Sequence, residues 1–318
     1  MNGAEHSFDE NASRLPRRDP AGHKGTFGTV AVIGGCSAGD TRMVGAPALS
    51  ALGALRAGAG LVKIVAPEPV LAAALSISPS ATGVALPVDT CGRVILSDAA
   101  AVIDRMTQTC RALVIGPGMG PGPEVGAAAL RAVQQEDVPV IVDADALNAL
   151  AGVTDLYRDF KAAAVLTPHP GEYRRFAASL RIVHDPVDPS SRPTAAAALA
   201  QRLGCVCVLK GSRSVVSDGL RTWVCGAGHA CLATAGTGDV LAGLIAGLVA
   251  QFGPSAPVVR GATPGASLDL FTLACIGVLA HARAGESWAS GHGSEAGLVA
   301  TELADLLPPQ LERLRGAG

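Results

Sequence analysis

The chain has 318 residues, of which 49% are hydrophobic and 16% charged, and its formal net charge is -2. This composition supports a large buried core and excludes an intrinsically disordered chain. The charge balance and the absence of a Lys/Arg run provide no basic field for nucleic acid, which we exclude as a partner. The apolar residues are mainly Ala, Val and Leu with 39 Gly, a composition that favours close-packed helices on a parallel sheet.

No segment has the features of a targeting signal or a membrane anchor. Residues 1–22 are polar and carry both charge signs, so we predict a flexible N-terminal tail. The apolar stretch at 240–250 is too short to span a bilayer, and no membrane partner is expected. The eight cysteines form no C-x-x-C motif, which favours buried free thiols over a zinc site or disulfides. Together these features predict a cytoplasmic protein.

Residues 23–318 are predicted to form one α/β domain in which strands alternate with helices. A strand, a helix beginning at Gly45-Ala46-Pro47 and a second strand open the domain, which implies a right-handed parallel crossover. The predicted elements of the first half are strand Thr29–Ile33, strand Leu61–Ala66, helix 70–77, a loop, helix 97–108, strand 112–115, helix 123–135 and strand Val138–Val142.

The second half continues the pattern and adds a hairpin around Asp218-Gly219. Its Pro-rich segment at 183–193 resembles a linker-like insertion. The other predicted elements are strand Ala164–Leu166, helix Thr194–Leu203, strand Cys205–Leu209, strands 214–217 and 221–225, a helix after Gly238, a loop at 253–266, helix 267–283 and a final helix near 296–307.

Five glycine-rich or polar junctions each follow a predicted strand. Because the carboxyl ends of parallel strands lie at one edge of the sheet, these junctions are predicted to form one site. The glycines at 116–120 have the spacing G-x-G-x-G and no acidic residue follows at the expected distance, so a dinucleotide-binding oxidoreductase is disfavoured.

The segment CLATAGTGDVLAGLIAGLVAQ at 231–251 places Asp239 in the first turn of an apolar helix. The free N–H groups of such a turn and the helix dipole hold anions, so Gly236, Thr237 and Gly238 are candidate phosphate contacts. Asp239 is either a helix cap or a catalytic base that deprotonates a substrate hydroxyl. Exposed glycines beside it favour the base, because a cap needs no loop that approaches a ligand.

Further polar residues at strand ends allow more than one interpretation. Lys210 could pair with phosphate or be a solvated lysine at the edge of the sheet, and the sequence supports these two interpretations equally. His169 lies between two prolines, which favours an oriented ring in contact with substrate. Asp143 and Asp145 could hold a magnesium-bound phosphate, or Asp145 could cap the next helix.

Gly243 and Gly247 lie four residues apart inside the helix that follows Asp239. Each glycine lowers helix stability by about 1 kcal/mol relative to alanine. We therefore expect close packing of another backbone, or of a nucleotide, against that face, and favour the backbone.

Several motifs in the same order resemble the ADP-dependent (S)-NAD(P)H-hydrate dehydratase family. They are HKGTFG, GAP-ALSALGALRAGAGLV, IGPGMG, VIVDADALN, LTPHPGE, VLKG and ATAGTGDVLAGLIAGLVAQ, within residues 23–310. The resemblance implies a ribokinase-like, three-layer α/β/α fold with a mostly parallel central sheet. It also implies an enzyme, a carbon–oxygen lyase that uses ADP or ATP to dehydrate NAD(P)H hydrate. The chain leaves no room for the epimerase domain that is often fused to such proteins.

The resemblance also implies roles for individual residues. Asp239 would be the catalytic base, and Ala46, Gly118, His169 and Asp239 would contact the hydrated cofactor. The adenine nucleotide would contact Lys210, Gly211, Ser212, Arg213, Ser214 and Gly238, where Ser214 replaces a frequent threonine and keeps the hydroxyl. Mg²⁺ is implied by the chemistry, with no identifiable ligands, and a homo-oligomer is implied by the family.

Two other functions use the same motifs. A small-molecule kinase of this fold, acting on a hydroxymethylpyrimidine, a thiazole or a sugar alcohol, would release a phosphorylated product. A nucleotide sensor would bind without turnover.

Overall fold

The protein is described by a computed structural model that covers residues 8–10, 14–254 and 267–315. Within these residues the strands form one nine-stranded sheet. Its strands are β1 Thr29–Ile33, β2 Leu61–Pro67, β3 Thr82–Leu86, β4 Ala112–Ile115, β5 Val140–Val142, β6 Ala164–Leu166, β7 Val206–Leu209, β8 Val215–Ser217 and β9 Thr222–Val224.

The sheet order is β3-β2-β1-β4-β5-β6-β7-β8-β9, and it is parallel from β3 through β7. The β8–β9 hairpin adds two antiparallel strands at one edge, as its Asp-Gly turn predicted. The carboxyl ends of β1, β4, β5, β6 and β7 therefore lie along one edge, which confirms the predicted convergence of the five junctions.

Helices cover both faces of the sheet. They are α1 Gly45–Arg56, α2 Glu68–Ile77, α3 Leu96–Thr109, α4 Pro123–Gln134, α5 Ala144–Leu150, α6 Leu156–Asp159, α7 Pro170–Leu180, α8 Arg192–Leu203, α9 Thr237–Phe252, α10 Leu270–His292, α11 Ala300–Asp305 and α12 Leu307–Arg313. The described helices include none that is long and apolar enough to cross a membrane.

The strands bury apolar side chains on both faces because each face carries its own helical layer. Val30 and Val32 of β1 join the core under α1, α2 and α9–α12, whereas Ala31 and Ile33 join the core under α3–α8. The predicted three-layer α/β/α architecture is confirmed.

Helix α9 is buried along almost its whole length and packs closely against α1. A Cβ on Gly243 would lie 1.8 Å from the Ser50 carbonyl oxygen, and one on Gly53 would lie 2.3 Å from that of Val240. Backbone packing, rather than a nucleotide, therefore explains Gly243. This contact fixes the position of the helix that carries Asp239.

Three expectations about the fold were wrong. The loop predicted after residue 77 contains β3, an exposed edge strand with too few apolar residues for a strand pattern. Helix α7 was missed because its Pro-Gly start resembles a turn. The prediction of a flexible tail does not hold for the described part of residues 1–22, because Phe8 and Leu15 are buried there and Leu15 pairs with Arg315. Most of the predicted 253–266 loop lies outside the described residues.

The cysteines are all free thiols. Seven are buried and Cys91 is exposed, so the expectation of buried thiols holds for all but one.

Candidate active site

A network of buried polar groups joins the ends of β5, β6 and β7. Asp143, directly after β5, has a side chain that is 2% exposed. Its Oδ1 accepts hydrogen bonds from Thr167 Oγ1 at 2.7 Å and from Lys210 Nζ at 2.6 Å. A buried carboxylate needs such partners, because removing its charge from water is unfavourable.

Lys210 is an internal cation rather than a solvated lysine. Its side chain is 18% exposed, and its Nζ also lies 4.0 Å from Glu172 Oε2. Burial alone would lower the pKa of Lys210, but the charges of Asp143 and Glu172 raise it, so the amine stays protonated. Nζ lies 3.5 Å from the position of a Cβ on Gly238, so the cation is directly beside the GTGD turn.

Asp239 is the third residue of α9 and is not its cap. The N-cap is Gly236, at φ +89°, and the cap position makes no side-chain hydrogen bond. Burial, followed by the like charge of Asp143, raises the pKa of Asp239 to about 7, and Lys210 partly opposes this. A carboxylate with this pKa is suited to take a proton near neutral pH.

Side chains from three elements fix the first turn of α9. Thr237 Oγ1 donates to the carbonyl oxygens of Leu232 and Thr234, at 2.9 Å each. Ser50 Oγ of α1 donates to the Asp239 carbonyl oxygen at 2.8 Å. His281 Nε2 of α10 lies 2.9 Å from the Thr237 carbonyl oxygen. Burial lowers the pKa of His281 to about 4, so its neutral Nε2–H donates this bond.

His169 caps α7 in a reciprocal arrangement with Glu172. Its Nδ1 accepts from the backbone N–H groups of Gly171 and Glu172 at 2.9 and 3.3 Å, and Glu172 Oε2 accepts from His169 N at 2.7 Å. Because Nδ1 is an acceptor, the proton of the neutral ring is on Nε2. Burial, together with the charge of Lys210, lowers the pKa of His169, so the ring is a neutral donor.

Glu172 is a buried carboxyl group that sequence reasoning missed. Burial raises its pKa to about 7, against the opposing charge of Lys210. The spacing of a cap residue followed three positions later by Glu is the signal that could have identified it.

The IGPGMG loop is attached to the same edge of the sheet. Gly120 N donates to Asp145 Oδ2 at 2.8 Å, so Asp145 holds this loop and its predicted role as a cap of the next helix is wrong. A Cβ on Gly118, at φ +63°, would lie 3.1 Å from Ala46 Cβ. Gly118 and Ala46 are therefore neighbours.

A cavity of about 480 Å³ adjoins the first turn of α9, which is within the range of small-ligand sites. It is lined by seven of the eight residues predicted for the nucleotide, the exception being Gly236, where an added Cβ would instead meet Leu49 and Ala300. The seven are Lys210, Gly211, Ser212, Arg213, Ser214, Thr237 and Gly238. His281 and Val278 of α10 also line it and were not predicted, because they reach the turn only through tertiary packing. Leu241 of α9 lines it as well and carries no polar signal that could have indicated this.

The described residues contain no group of three or more His, Cys, Asp or Glu side chains that could hold a metal ion. Asp143, one of the predicted candidates, is occupied by Lys210 and Thr167. A protein-held Mg²⁺ site does not fit this edge of the sheet.

The three-layer α/β/α architecture, the nucleotide-sized cavity and the carboxylate at a glycine-rich helix start define a ribokinase-like α/β protein. A solved structure of a ribokinase-like superfamily protein from Enterococcus faecalis has the same fold, with a TM-score of 0.72 at 21% identity over 96% of this chain and 93% of that one.

Residues 30–309 match the profile of the family described as NAD(P)H-hydrate dehydratase, and the chain belongs to that family. It is 36% identical over 298 residues to the bifunctional NAD(P)H-hydrate repair enzyme of Salinibacter ruber, covering 92% of this chain and 50% of that protein. It is also 33% identical to the ADP-dependent (S)-NAD(P)H-hydrate dehydratase of Bacillus subtilis, covering 92% of each.

A solved structure of the Bacillus subtilis ADP/ATP-dependent NAD(P)H-hydrate dehydratase, co-crystallised with ATP/Mg²⁺, is similar along almost the whole chain. The TM-score is 0.75 at 29% identity, over 98% of this chain and 99% of that one. The chain spans about half the length of the bifunctional relatives it matches.

Proposed function

We propose that this protein repairs hydrated nicotinamide cofactors by dehydrating (S)-NAD(P)H hydrate with ADP or ATP as the co-substrate. The observation that carries the proposal is Asp239, a carboxylate with a pKa near 7 that interacts with the charge of Lys210 and directly follows Thr237 and Gly238, which line a nucleotide-sized cavity. Membership of the dehydratase family and the ATP/Mg²⁺ in the similar Bacillus subtilis structure support it.

Asp239 acts as the base in the first step. It takes the proton of the C6 hydroxyl, whose oxygen attacks the terminal phosphorus of the nucleotide while the bond to the leaving phosphate oxygen breaks. The first-turn N–H groups of α9 and the Lys210 ammonium neutralise charge on the transferred group. The products of this step are the C6 phosphate ester and AMP, or ADP when ATP is used.

Elimination follows because phosphate is a far better leaving group than hydroxide. The ring nitrogen supplies the electron pair that breaks the C6–O bond, and loss of a ring proton restores the dihydronicotinamide. Hydrolysis of the nucleotide is therefore coupled to removal of water from the hydrate.

The substrate side is formed by Ala46, Gly118 and His169. The neutral Nε2–H of His169 is the ring's hydrogen-bond donor, because backbone N–H groups occupy Nδ1, and it would donate to an oxygen of the hydrated cofactor in competition with Glu172 Oε1, 3.4 Å away. Ala46 and Gly118 are adjacent residues with small or no side chains, beside Met43, where the ring can approach the backbone.

Mg²⁺ is proposed as a partner of the nucleotide. Bound to the phosphates, it would supply positive charge and keep most of its waters, as Mg²⁺ does in many phosphoryl-transfer sites. The described carboxylates form no closed site for it, so no step is assigned to a protein-held metal.

The assay is incubation of the protein with chemically hydrated NADH and ADP or ATP, followed by the near-ultraviolet absorbance of the dihydronicotinamide. Return of this absorbance with release of inorganic phosphate is the expected result. A phosphorylated product that persists would indicate a kinase, and binding without turnover would indicate a sensor. Asp239→Asn should still bind ADP but lose turnover, and near-normal turnover of this variant would refute the assignment of the base.

A further inference from the structure

Arg192 is a buried cation beneath the turn that begins at Lys210. It is the first residue of α8 and is 6% exposed. Its Nη1 donates to the Pro186 carbonyl oxygen at 2.6 Å, and its Nη2 donates to those of Leu209 and Lys210 at 2.9 and 3.3 Å. The guanidinium therefore joins the 183–191 segment to the end of β7.

The charge of Arg192 has no carboxylate partner among the described residues. Its one electrostatic neighbour there is Cys207, a buried thiol whose pKa is raised by burial, so that it is neutral. Arg192 Nε has no hydrogen-bond partner in the same part of the chain. The positive end of the α8 dipole is a further unfavourable neighbour for a cation. An uncompensated buried charge is destabilising, so fold stability alone does not account for it.

The position of this charge points to the nucleotide cavity. Gly211 has φ +139°, and a Cβ built on it would lie 3.2 Å from Nη1 of Arg192. The guanidinium thus lies directly behind Gly211, which lines the cavity on its other side. Lys210, the cation inside the site, is balanced by Asp143 and Glu172, whereas the charge of Arg192 is available to an anion.

We propose that Arg192 is a positioning residue of the nucleotide site, whose uncompensated charge attracts the phosphates from behind Gly211 while its hydrogen bonds hold the turn. The ligand class is an adenosine di- or triphosphate, so the inference rests on the proposed function. Arg192 acts through the turn, since the main chain of Lys210 and Gly211 separates it from the cavity.

A pair of variants separates charge from structure. Arg192→Lys and Arg192→Met both lose the planar fork, have similar volume and differ in charge. Calorimetric titration with ADP and with adenosine then measures the phosphate-dependent part of binding. The Met variant should bind ADP about 10-fold more weakly than the Lys variant, which corresponds to about 1.4 kcal/mol, and the two should bind adenosine equally. Arg202→Met, an exposed arginine of the same helix, is the control and should leave both affinities unchanged.

Each other outcome overturns a defined part of the inference. Equal ADP affinities of the Lys and Met variants would mean that the charge contributes nothing, and an equal loss for adenosine would mean that Arg192 only shapes the turn. If the Met variant does not fold, Arg192→Gln, which is neutral but keeps a donor, gives the same comparison with Lys. If the wild-type protein binds neither ADP nor ATP, the proposed function fails, whereas the other outcomes leave it intact.

Discussion

Replacing Gly243 with alanine tests whether the contact between α1 and α9 positions the catalytic turn. The new Cβ would lie 1.8 Å from the Ser50 carbonyl oxygen, so the helices must separate by roughly 1.5 Å to reach ordinary contact. Overpacking of this kind costs about 1–3 kcal/mol, and a contact with backbone belongs at the upper end. The helix-propensity gain of about 1 kcal/mol leaves a net loss near 2 kcal/mol.

Gly126→Ala is the matched control, because it also lies inside a helix but its Cβ would meet nothing closer than Ala149 Cβ at 4.0 Å. It should gain up to about 1 kcal/mol. Denaturant unfolding of both variants measures the difference, expected near 3 kcal/mol, and kcat should fall for Gly243→Ala because Ser50 holds the Asp239 carbonyl. Equal stabilities of the two variants would refute the close packing of α1 and α9.

Three further outcomes follow from the site. Because the base must be ionised and the pKa of Asp239 is raised to about 7, kcat/KM should rise with pH through about 7, and this limb should persist in Glu172→Gln if Asp239 is the base. The same raised pKa means that the stability of the apo protein should fall as pH rises from about 4 to about 7, a slope that Asp239→Asn should reduce. His169→Asn, whose amide oxygen can still cap α7, should keep the melting temperature but raise the KM for the hydrate. His169→Ala should raise this KM and also lose about 1 kcal/mol of stability, and an unchanged KM for both variants would remove His169 from the substrate site. Lys210→Met should raise the nucleotide KM and lose about 3–5 kcal/mol of stability, because it leaves the charge of Asp143 without a cation. Adding Asp143→Asn should partly restore the stability, and full stability of the single variant would show that the pair is not buried.

The layered sheet could be predicted because its signals are local. Apolar runs such as Thr29–Ile33 coincide with strands, and a glycine or proline marks where each ends. Strand β3 was missed because it is an exposed edge strand with a single fully buried residue, Leu86. The burial of Leu15 could not be predicted, since its partner Arg315 is 300 residues away along the chain.

For the site, the residues of the turns were predictable and their partners were not. Lys210 could be placed at the carboxyl edge of the sheet because it directly follows a predicted strand, but whether Lys210 was solvated depended on Asp143, which is 67 residues distant. Asp145 resembled a helix cap locally and instead holds Gly120. His281 and Arg192 carry no local motif, because both act on carbonyl groups that the fold brings to them.

The negative charges at this edge of the sheet explain why Lys210 has carboxylate partners whereas Arg192 has none. Asp143, Glu172 and Asp239 surround Lys210, and their mutual repulsion contributes to the raised pKa of Asp239. The arrival of nucleotide phosphates would raise this pKa further and disable the base unless positive charge opposed it. Lys210 is already paired with Asp143, so positive charge beyond that of Lys210 and of nucleotide-bound Mg²⁺ would come from the first-turn N–H groups of α9 and from Arg192 behind Gly211. A cation without a carboxylate partner is therefore consistent with a site in which the base must stay ionised beside a polyphosphate.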